Sequence, residues 1–431
     1  MHIFFSGIGG TAIGPLALIA KQAGYEVSGS DAANSQYIDY LRDKGIGNIH
    51  IGQSSEQIRQ AHIRKPIDWF VYSSALPKTD PNHPELLFCQ ENNIKATKRD
   101  ELLNQIIKDK NLKLVAIAGT HGKTTTTAMA IWLFNELGLP LSYSVGAKLS
   151  FGEMGCYDPA SQFFIYEADE FDRNFLSFYP EISLITGLDW DHPDIYPTRE
   201  SYDQAFTEFI GQSQHSMLWR DDADKLGLSA DSDLSIIDAK DPQIDQRVKL
   251  AGRVNRLDAW LVANALETIL GKDFEYLVAV LNKFPGVSRR FEQIAHNLYT
   301  DYAHTPPKIR GALQLAHEVA GTNVVVVYEG LHNTRQHFIK DELANLFDGV
   351  KELYVVPSYL AREDKNLELL TPAKILNLLS ISIKDRSHAS TLDDELKQSI
   401  QKHLDSGDLV LSLSAGGRGS LDEWLRQNFH Q

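Results

Sequence analysis

The chain has 431 residues, 43% hydrophobic and 23% charged, with a net charge of −15 and a pI near 5.4. That length exceeds a single core, so two or three domains are expected. The acidic balance argues against a nucleic-acid binder, which shows a basic field, and no apolar run approaches the ~20 residues of a membrane helix. Cys89 and Cys156 stand far apart in no metal-ligand spacing, as expected of reduced thiols in the cytoplasm. Met1 leads straight into an apolar strand pattern with no basic n-region, so no signal peptide is expected.

Strand and helix signals alternate in the N-terminal part. Residues 3–6 read as a strand, Gly7-Ile8-Gly9-Gly10 as a tight turn and 12–23 as an apolar helix. A second strand at 25–28 runs into Gly29, Ser30 and Asp31, and another covers 69–73. This is a βαβ, Rossmann-like opening. The turn begins like a dinucleotide fingerprint, but Gly14 falls one place late for GxGxxG. A glycine turn at a helix N-terminus suits a diphosphate, and Asp31 stands where a Rossmann protein carries its ribose-binding acid. NAD and a UDP-sugar fit equally. A turn made only for packing is the plainer alternative.

The Lys-rich stretch 108–113 reads as a linker. After it, an apolar strand at 114–118 enters Gly119-Thr120-His121-Gly122-Lys123-Thr124, continued by Thr125, and an apolar helix follows at 128–134. Strand, glycine turn, Lys-Thr and helix make a phosphate cradle. Lys123 can reach the β/γ-phosphates, and the Thr124 hydroxyl can serve Mg²⁺, so ATP is the expected ligand. Ile117 fills the first glycine of the longer pattern, leaving the short form GxxGKT. Two acidic groups follow further strands, at 163–167 and 182–187. They are Glu167-Ala-Asp169-Glu170-Phe-Asp172 and Asp189-Trp-Asp191-His192. Hard carboxylate oxygens beyond strand ends suit Mg²⁺, and His192 is a candidate for a second divalent ion.

A boundary is expected near Pro285-Gly286. Beyond it come strands at 298–302, 323–328, 352–356 and 408–413, with helices from Pro307 and around 340–347. Paired Arg289 and Arg290 suit a phosphate, which a guanidinium binds bidentately. Asp301 suits ribose hydroxyls, and His304 can face substrate.

With these residues in order, the chain resembles the Mur ligases, ATP-dependent amide-forming enzymes of peptidoglycan precursor synthesis. The resemblance spans nearly the whole length. It rests on GTHGKTTTT at 119–127, EADEFD at 167–172, the Asp191-His192 pair, GVSRRF at 286–291 and DYAH at 301–304. It implies an α/β fold of three domains: a Rossmann-like UDP-sugar domain at 1–108, a central P-loop domain with a mostly parallel sheet at 109–287, and a C-terminal Rossmann-like domain at 288–431. The turn at Gly7, Ile8, Gly9 and Gly10, with Ser30, Asp31 and Ser73, would bind UDP-N-acetylmuramate. Gly119, Thr120, His121, Gly122, Lys123, Thr124 and Thr125 would cradle ATP. Thr124 and Glu167 would hold one Mg²⁺ and His192 a second. Asn255 would reach adenine, Arg290 the phosphate or ribose, and Asp301 the ribose. His304 and Arg335 would lie around the incoming amine, an amino acid or short peptide.

Within the family, features of two branches mix. Ser73-Ser74-Ala75 with Pro81, and the segment from Tyr359 to Glu363, resemble the L-alanine-adding ligase. Phe171, Tyr328-Glu329, Asn333-Thr334 and the segment 414–417 resemble the ligase that reattaches L-alanyl-γ-D-glutamyl-meso-diaminopimelate. Leu331 and His332 replace a His-Arg pair of the alanine-adding enzyme. Val254 and Asp258 replace a His and an Asn of the adenine motif, and Thr207 stands where other members carry a carbamylated lysine. The implied chemistry passes through an acyl phosphate, with the C-terminal domain closing over the P-loop domain and a monomer or homodimer as the assembly. An NAD-dependent oxidoreductase and a non-catalytic nucleotide-binding regulator are the other classes weighed.

Overall fold

Three runs of short, apolar strands set the architecture. The computed structural model describes residues 1–73, 76–192, 195–360, 363–364 and 366–429. The first sheet contains β1 (His2–Ser6), β2 (Glu26–Asp31), β3 (Ile49–Ile51), β4 (Trp69–Tyr72) and β5 (Lys95–Lys98), in the order β3-β2-β1-β4-β5. All its pairings are parallel. The order reverses at β1, and such a switch point opens a ligand crevice beyond the strands' C-terminal ends. The glycine turn follows β1 at that place.

The second sheet contains β6 (Lys113–Ala118), β7 (Ser142–Ser144), β8 (Gly155–Cys156), β9 (Phe163–Glu167), β10 (Ile182–Ile185), β11 (His215–Trp219) and β12 (Leu234–Ile237). Its order is β12-β11-β10-β6-β9-β7-β8, parallel except for the β7–β8 hairpin. Strand β6 sits at the switch between β10 and β9. Its residues Leu114, Val115, Ala116, Ile117 and Ala118 are all buried, as a central parallel strand covered on both faces requires.

The expected linker at 108–113 is ordered secondary structure. The helix Arg99–Asp109 ends on Lys108 and Lys110, where cations complement the C-terminal dipole. Asn111 turns the chain with φ 49°, and Leu112 N–H bonds back to the Ile107 carbonyl. Strand β6 begins at once. Residues of the first sheet and the second join one apolar core, from Ile3 and Phe5 through Leu102 and Ile106 to Ala116, Phe164 and Phe206. Accordingly 1–244 and 258–284 form one compact unit.

The other compact unit takes 245–257 and 285–431. Its sheet contains β13 (Glu292–Ala295), β14 (Leu298–Asp301), β15 (Val324–Leu331), β16 (Glu352–Tyr359), β17 (Ser387–Ala389) and β18 (Leu409–Leu413), in the order β13-β14-β18-β15-β16-β17. Only the β13–β14 pairing is antiparallel. Val324, Val325, Val326 and Val327 of β15 are fully buried between two apolar layers. The helix after β14 is Pro306–Ala320, with prolines in its first turn where their missing N–H costs nothing. The next is Asn333–Leu346, starting a turn or more before the expected helix. No helix among the described residues is long and apolar enough to cross a membrane.

Candidate active site

The phosphate cradle forms where β6 meets the helix Lys123–Glu136. Gly119 has φ 135° and Gly122 φ 78°, conformations that side chains rarely adopt. A Cβ on Gly119 would stand 2.4 Å from Thr186 Oγ1, and one on Gly122 would stand 2.9 Å from Asp258 Oδ1. Both glycines are therefore required twice, by dihedral and by space. The loop is braced from its neighbours. Thr120 N–H donates to the Gly187 carbonyl (2.8 Å), its hydroxyl reaches Tyr202 (2.6 Å), and His121 Nε2 meets Asp189 Oδ2 at 3.0 Å. The His121 contact and hydrogen bond hold the Asp189 carboxyl below its ordinary range.

Lys123 opens the helix and folds back. Its Nζ donates to the Gly119 carbonyl and to Glu170 Oε2, both at 2.6 Å. Burial opposes its charge, but Glu170, Asp169 and Glu167 outweigh burial and keep the ammonium above the usual lysine range. Thr124 Oγ1 donates to Glu167 Oε1 at 2.7 Å, and Gly146 N–H holds the other oxygen at 2.7 Å. His192, with φ 56°, sets Nε2 3.7 Å from Glu170 Oε1 and packs edge-on to Phe171. Thus Lys123, Thr124, Glu167 and His192 gather around one loop.

Beyond the acidic strand end, Asp172 and Arg173 take left-handed backbone in succession. Such paired strain persists only where surroundings fix it. Lys98 binds Asp172 (2.6 Å) and Arg99 binds Asp169 (3.2 Å), tying the end of β5 to this loop.

At the first sheet, Gly7 turns with φ 74°. Gly7 and Ile8 N–H groups both donate to the Ser30 carbonyl, and Gly9 N–H donates to Asp31 Oδ2 at 2.8 Å. Ile8 and Ser30 are fully buried, so they hold the turn against β2. Gly10, Thr11 and Ala12 are exposed, and the helix Ile13–Gln22 starts without a side-chain cap or an acid in its first turn. That leaves the positive end of the helix dipole without a capping or acidic side chain. Ser73 follows β4, its carbonyl taking the Leu76 N–H; Ser74 and Ala75 lie outside the described residues, as do Ala361 and Arg362. Behind the turn, Ser6 Oγ donates to Glu85 Oε2 at 2.6 Å. Burial pushes the Glu85 carboxyl up to about 7.

In the second unit, Asp301 accepts N–H bonds from Phe291 (2.8 Å) and Ala303 (2.7 Å). The guanidinium groups of Arg289 and Arg290 each come 4.8 Å from the centroid of the Tyr302 ring, and His304 makes a T-shaped contact with that ring at 5.4 Å. Asn255 donates to the Ala251 carbonyl (2.9 Å). Arg335 is half-buried in the first turn of Asn333–Leu346, whose Thr334 N–H is taken by Glu363 at 3.0 Å.

Comparison with known proteins places these features in one family. The Mur ligase family, catalytic domain, matches residues 2–111; the Mur ligase middle domain matches 117–251; and the Mur ligase, glutamate ligase domain, matches 289–416. The UDP-N-acetylmuramate–L-alanine ligase of Desulforapulum autotrophicum is 30% identical, with 98% of each chain covered. The chain belongs to the Mur ligase family. It is accordingly an ATP-dependent amide ligase with that family's three-domain α/β architecture. The ligase of the same name from Clostridium acetobutylicum is 28% identical, covering 96% of this chain and 95% of the relative. Among solved structures, the UDP-N-acetylmuramate-alanine ligase MurC of Thermotoga maritima has a TM-score of 0.72 at 24% identity, covering 97% and 96%. A murein peptide ligase from Psychrobacter arcticus has 0.63 at 22%, covering 97% and 96%. At these identities the structures speak for the fold.

For a Mur ligase, the donor set around Thr124 is chemically apt for Mg²⁺. The ion favours hard oxygens and binds through one or two carboxylates plus phosphate and water, and a hydroxyl beside one carboxylate meets that description. Among the described residues no group of three or more His, Cys, Asp and Glu could hold a metal by itself. Two acids of this Mur ligase escaped the sequence reading as site residues. Glu170 was visible only as one letter of an acidic run, and Glu85 carried no signal, since glutamate is ordinarily exposed.

Proposed function

We propose that this Mur ligase joins UDP-N-acetylmuramate to L-alanine, cleaving ATP to ADP and phosphate, in the cytoplasm. The observation that carries the reading is the full-length likeness to ligases of that name, 98% of both chains in one case. In the proposed reaction a lactyl carboxylate oxygen attacks the γ-phosphorus, and ADP leaves from an acyl phosphate. The uncharged amine nitrogen then attacks the acyl carbon. Phosphate departs and the nitrogen loses a proton.

A carboxylate approaching a triphosphate meets repulsion, so positioning and charge supply most of the rate. We assign Lys123 to the β/γ-phosphates and the loop 119–125 to their cradle. Thr124 and Glu167 would hold one Mg²⁺ and His192 another, and that ion supplies positive charge against the repulsion. The uncapped N-terminus of the helix Ile13–Gln22, after the glycine turn, supports a role in binding the UDP diphosphate. We divide the labour as sugar at 1–108, ATP at 109–287 and amine at 288–431. In the second unit, Asn255, Arg290 and Asp301 keep the nucleotide roles, and His304 and Arg335 the amine roles, that the resemblance implies.

The test is phosphate release from ATP with UDP-N-acetylmuramate and one acceptor at a time: L-alanine, L-serine, glycine or the tripeptide. Turnover with L-alanine is expected. Phe171, Tyr328-Glu329, Asn333-Thr334 and the segment 414–417, which resemble the tripeptide ligase, support the tripeptide as the second reading. Turnover with the tripeptide alone would establish that one, and silence with every acceptor would sink both.

A further inference from the structure

Glu170 is a buried acid for which the proposed reaction has no use. It is 1% exposed and precedes the irregular turn Phe171–Ser177. One oxygen accepts from Lys123 at 2.6 Å; the other faces His192 Nε2 at 3.7 Å; its backbone carbonyl takes the Tyr196 hydroxyl at 2.6 Å. The nearby acids are engaged elsewhere. Asp169 pairs with Arg99, and Glu167 is held by Thr124 and Gly146. With its second bond to the Gly119 carbonyl, the Lys123 ammonium has two of its three donors satisfied inside the protein.

A triphosphate entering the cradle has to take that ammonium from Glu170. Carboxylate and phosphate are both anions, so they compete for one cation. Once Lys123 turns away, Glu170 becomes a buried charge without its partner, which is costly.

We infer that Glu170 competes with the triphosphate for Lys123: it holds the ammonium before nucleotide binds and gives it up when Lys123 moves to the phosphates. The inference rests on the assignment of the P-loop to ATP. One consequence follows from it. Glu170 lowers the affinity for ATP, because part of each binding event is spent breaking the Lys123 pair.

The experiment is calorimetric titration of the full chain with ATP, in EDTA and again with Mg²⁺, for the wild type, Glu170→Gln and Glu170→Asp. Glutamine keeps the shape and an acceptor for Lys123 but removes the competing charge. Glu170→Gln is expected to bind ATP about tenfold more tightly in EDTA, since a self-competed state is removed, while its phosphate release slows. Unchanged or weaker binding overturns the inference and returns Glu170 to a purely structural role. If Glu170→Gln does not fold, Glu170→Asp decides, because it draws the charge back by one methylene; tighter binding supports the exchange, and equal or weaker binding overturns it. A wild type that binds no ATP in either condition fails the P-loop assignment itself, so the two failures are told apart.

Discussion

Thr124 and Glu167 meet through a 2.7 Å hydrogen bond that joins the first turn of the P-loop helix to the end of β9. Neither residue is placed by its own element alone. The pair exists because β6 and β9 are neighbours in parallel register, Ile117 beside Glu167, which brings the two strand ends to one level. Thr124→Ala and Glu167→Gln should each lower kcat for phosphate release by about 10²-fold or more, the range for losing one pre-positioned polar group. They should also raise the Mg²⁺ concentration needed for half-maximal rate. A Mg²⁺ titration in which both variants keep the wild-type midpoint would remove them from the metal site.

Glu85 should make stability depend on pH. Its carboxyl is held up to about 7 by burial, with the Ser6 hydrogen bond opposing. The folded chain therefore binds a proton that the unfolded chain has released between the ordinary glutamate range and about 7. This contribution is full below the unfolded value and is lost as pH rises through the folded one. Glu85→Gln should be more stable than the wild type at pH 8 by about 2–3 kcal/mol. The two should converge toward pH 5. Urea unfolding at both pH values checks this; a gap that stays constant would rule out Glu85 as the titrating group.

The Tyr302 ring lies 4.8 Å from the guanidinium of both Arg289 and Arg290. Tyr302→Phe retains that ring and should keep the KM for ATP within about twofold. Tyr302→Leu removes it and should raise that KM about fivefold, the equivalent of a cation–π contact near 1 kcal/mol. Equal losses in both variants would transfer the role to the hydroxyl.

Arg335→Ala should raise the KM of the amine substrate by about tenfold, as expected for losing a guanidinium–carboxylate contact. The KM for ATP should stay unchanged. Parallel increases in both constants, measured by initial rates, would count against contact with the amine.

The central strands and the cradle were legible in the sequence because each carries a local signature: a near-continuous apolar run for β6 and β15, and glycine with Lys-Thr at a strand-to-helix turn for residues 119–124. Other elements lacked one. Strand β5, Lys-Ala-Thr-Lys, and β17, Ser-His-Ala, are short polar edge strands whose pairing is decided by neighbours rather than by their own hydrophobicity. The stretch 108–113 is as rich in charge as a linker, but its lysines finish a helix and Asn111 supplies the turn. Glu170 could be read only as a letter of an acidic motif, since its partners Lys123 and His192 come from other loops. The branch within the family was not legible, because Leu331 and His332, near the proposed amine site, depart from the pattern and local spacing offers no substitute.

The helix Ile13–Gln22 packs on β8 so tightly that a Cβ on Gly155 would come 2.9 Å from Pro15, and at the helix end Gln22 Oε1 accepts the Tyr157 N–H at 2.7 Å. Pro15 and Gly155 thus limit one another's size, although 140 positions separate them in the chain. A chimaera that grafted the first 112 residues of a relative onto this protein would need both partners exchanged together. Protease nicking near 110 would likewise release no free-standing fragment, because the severed halves still share one interior.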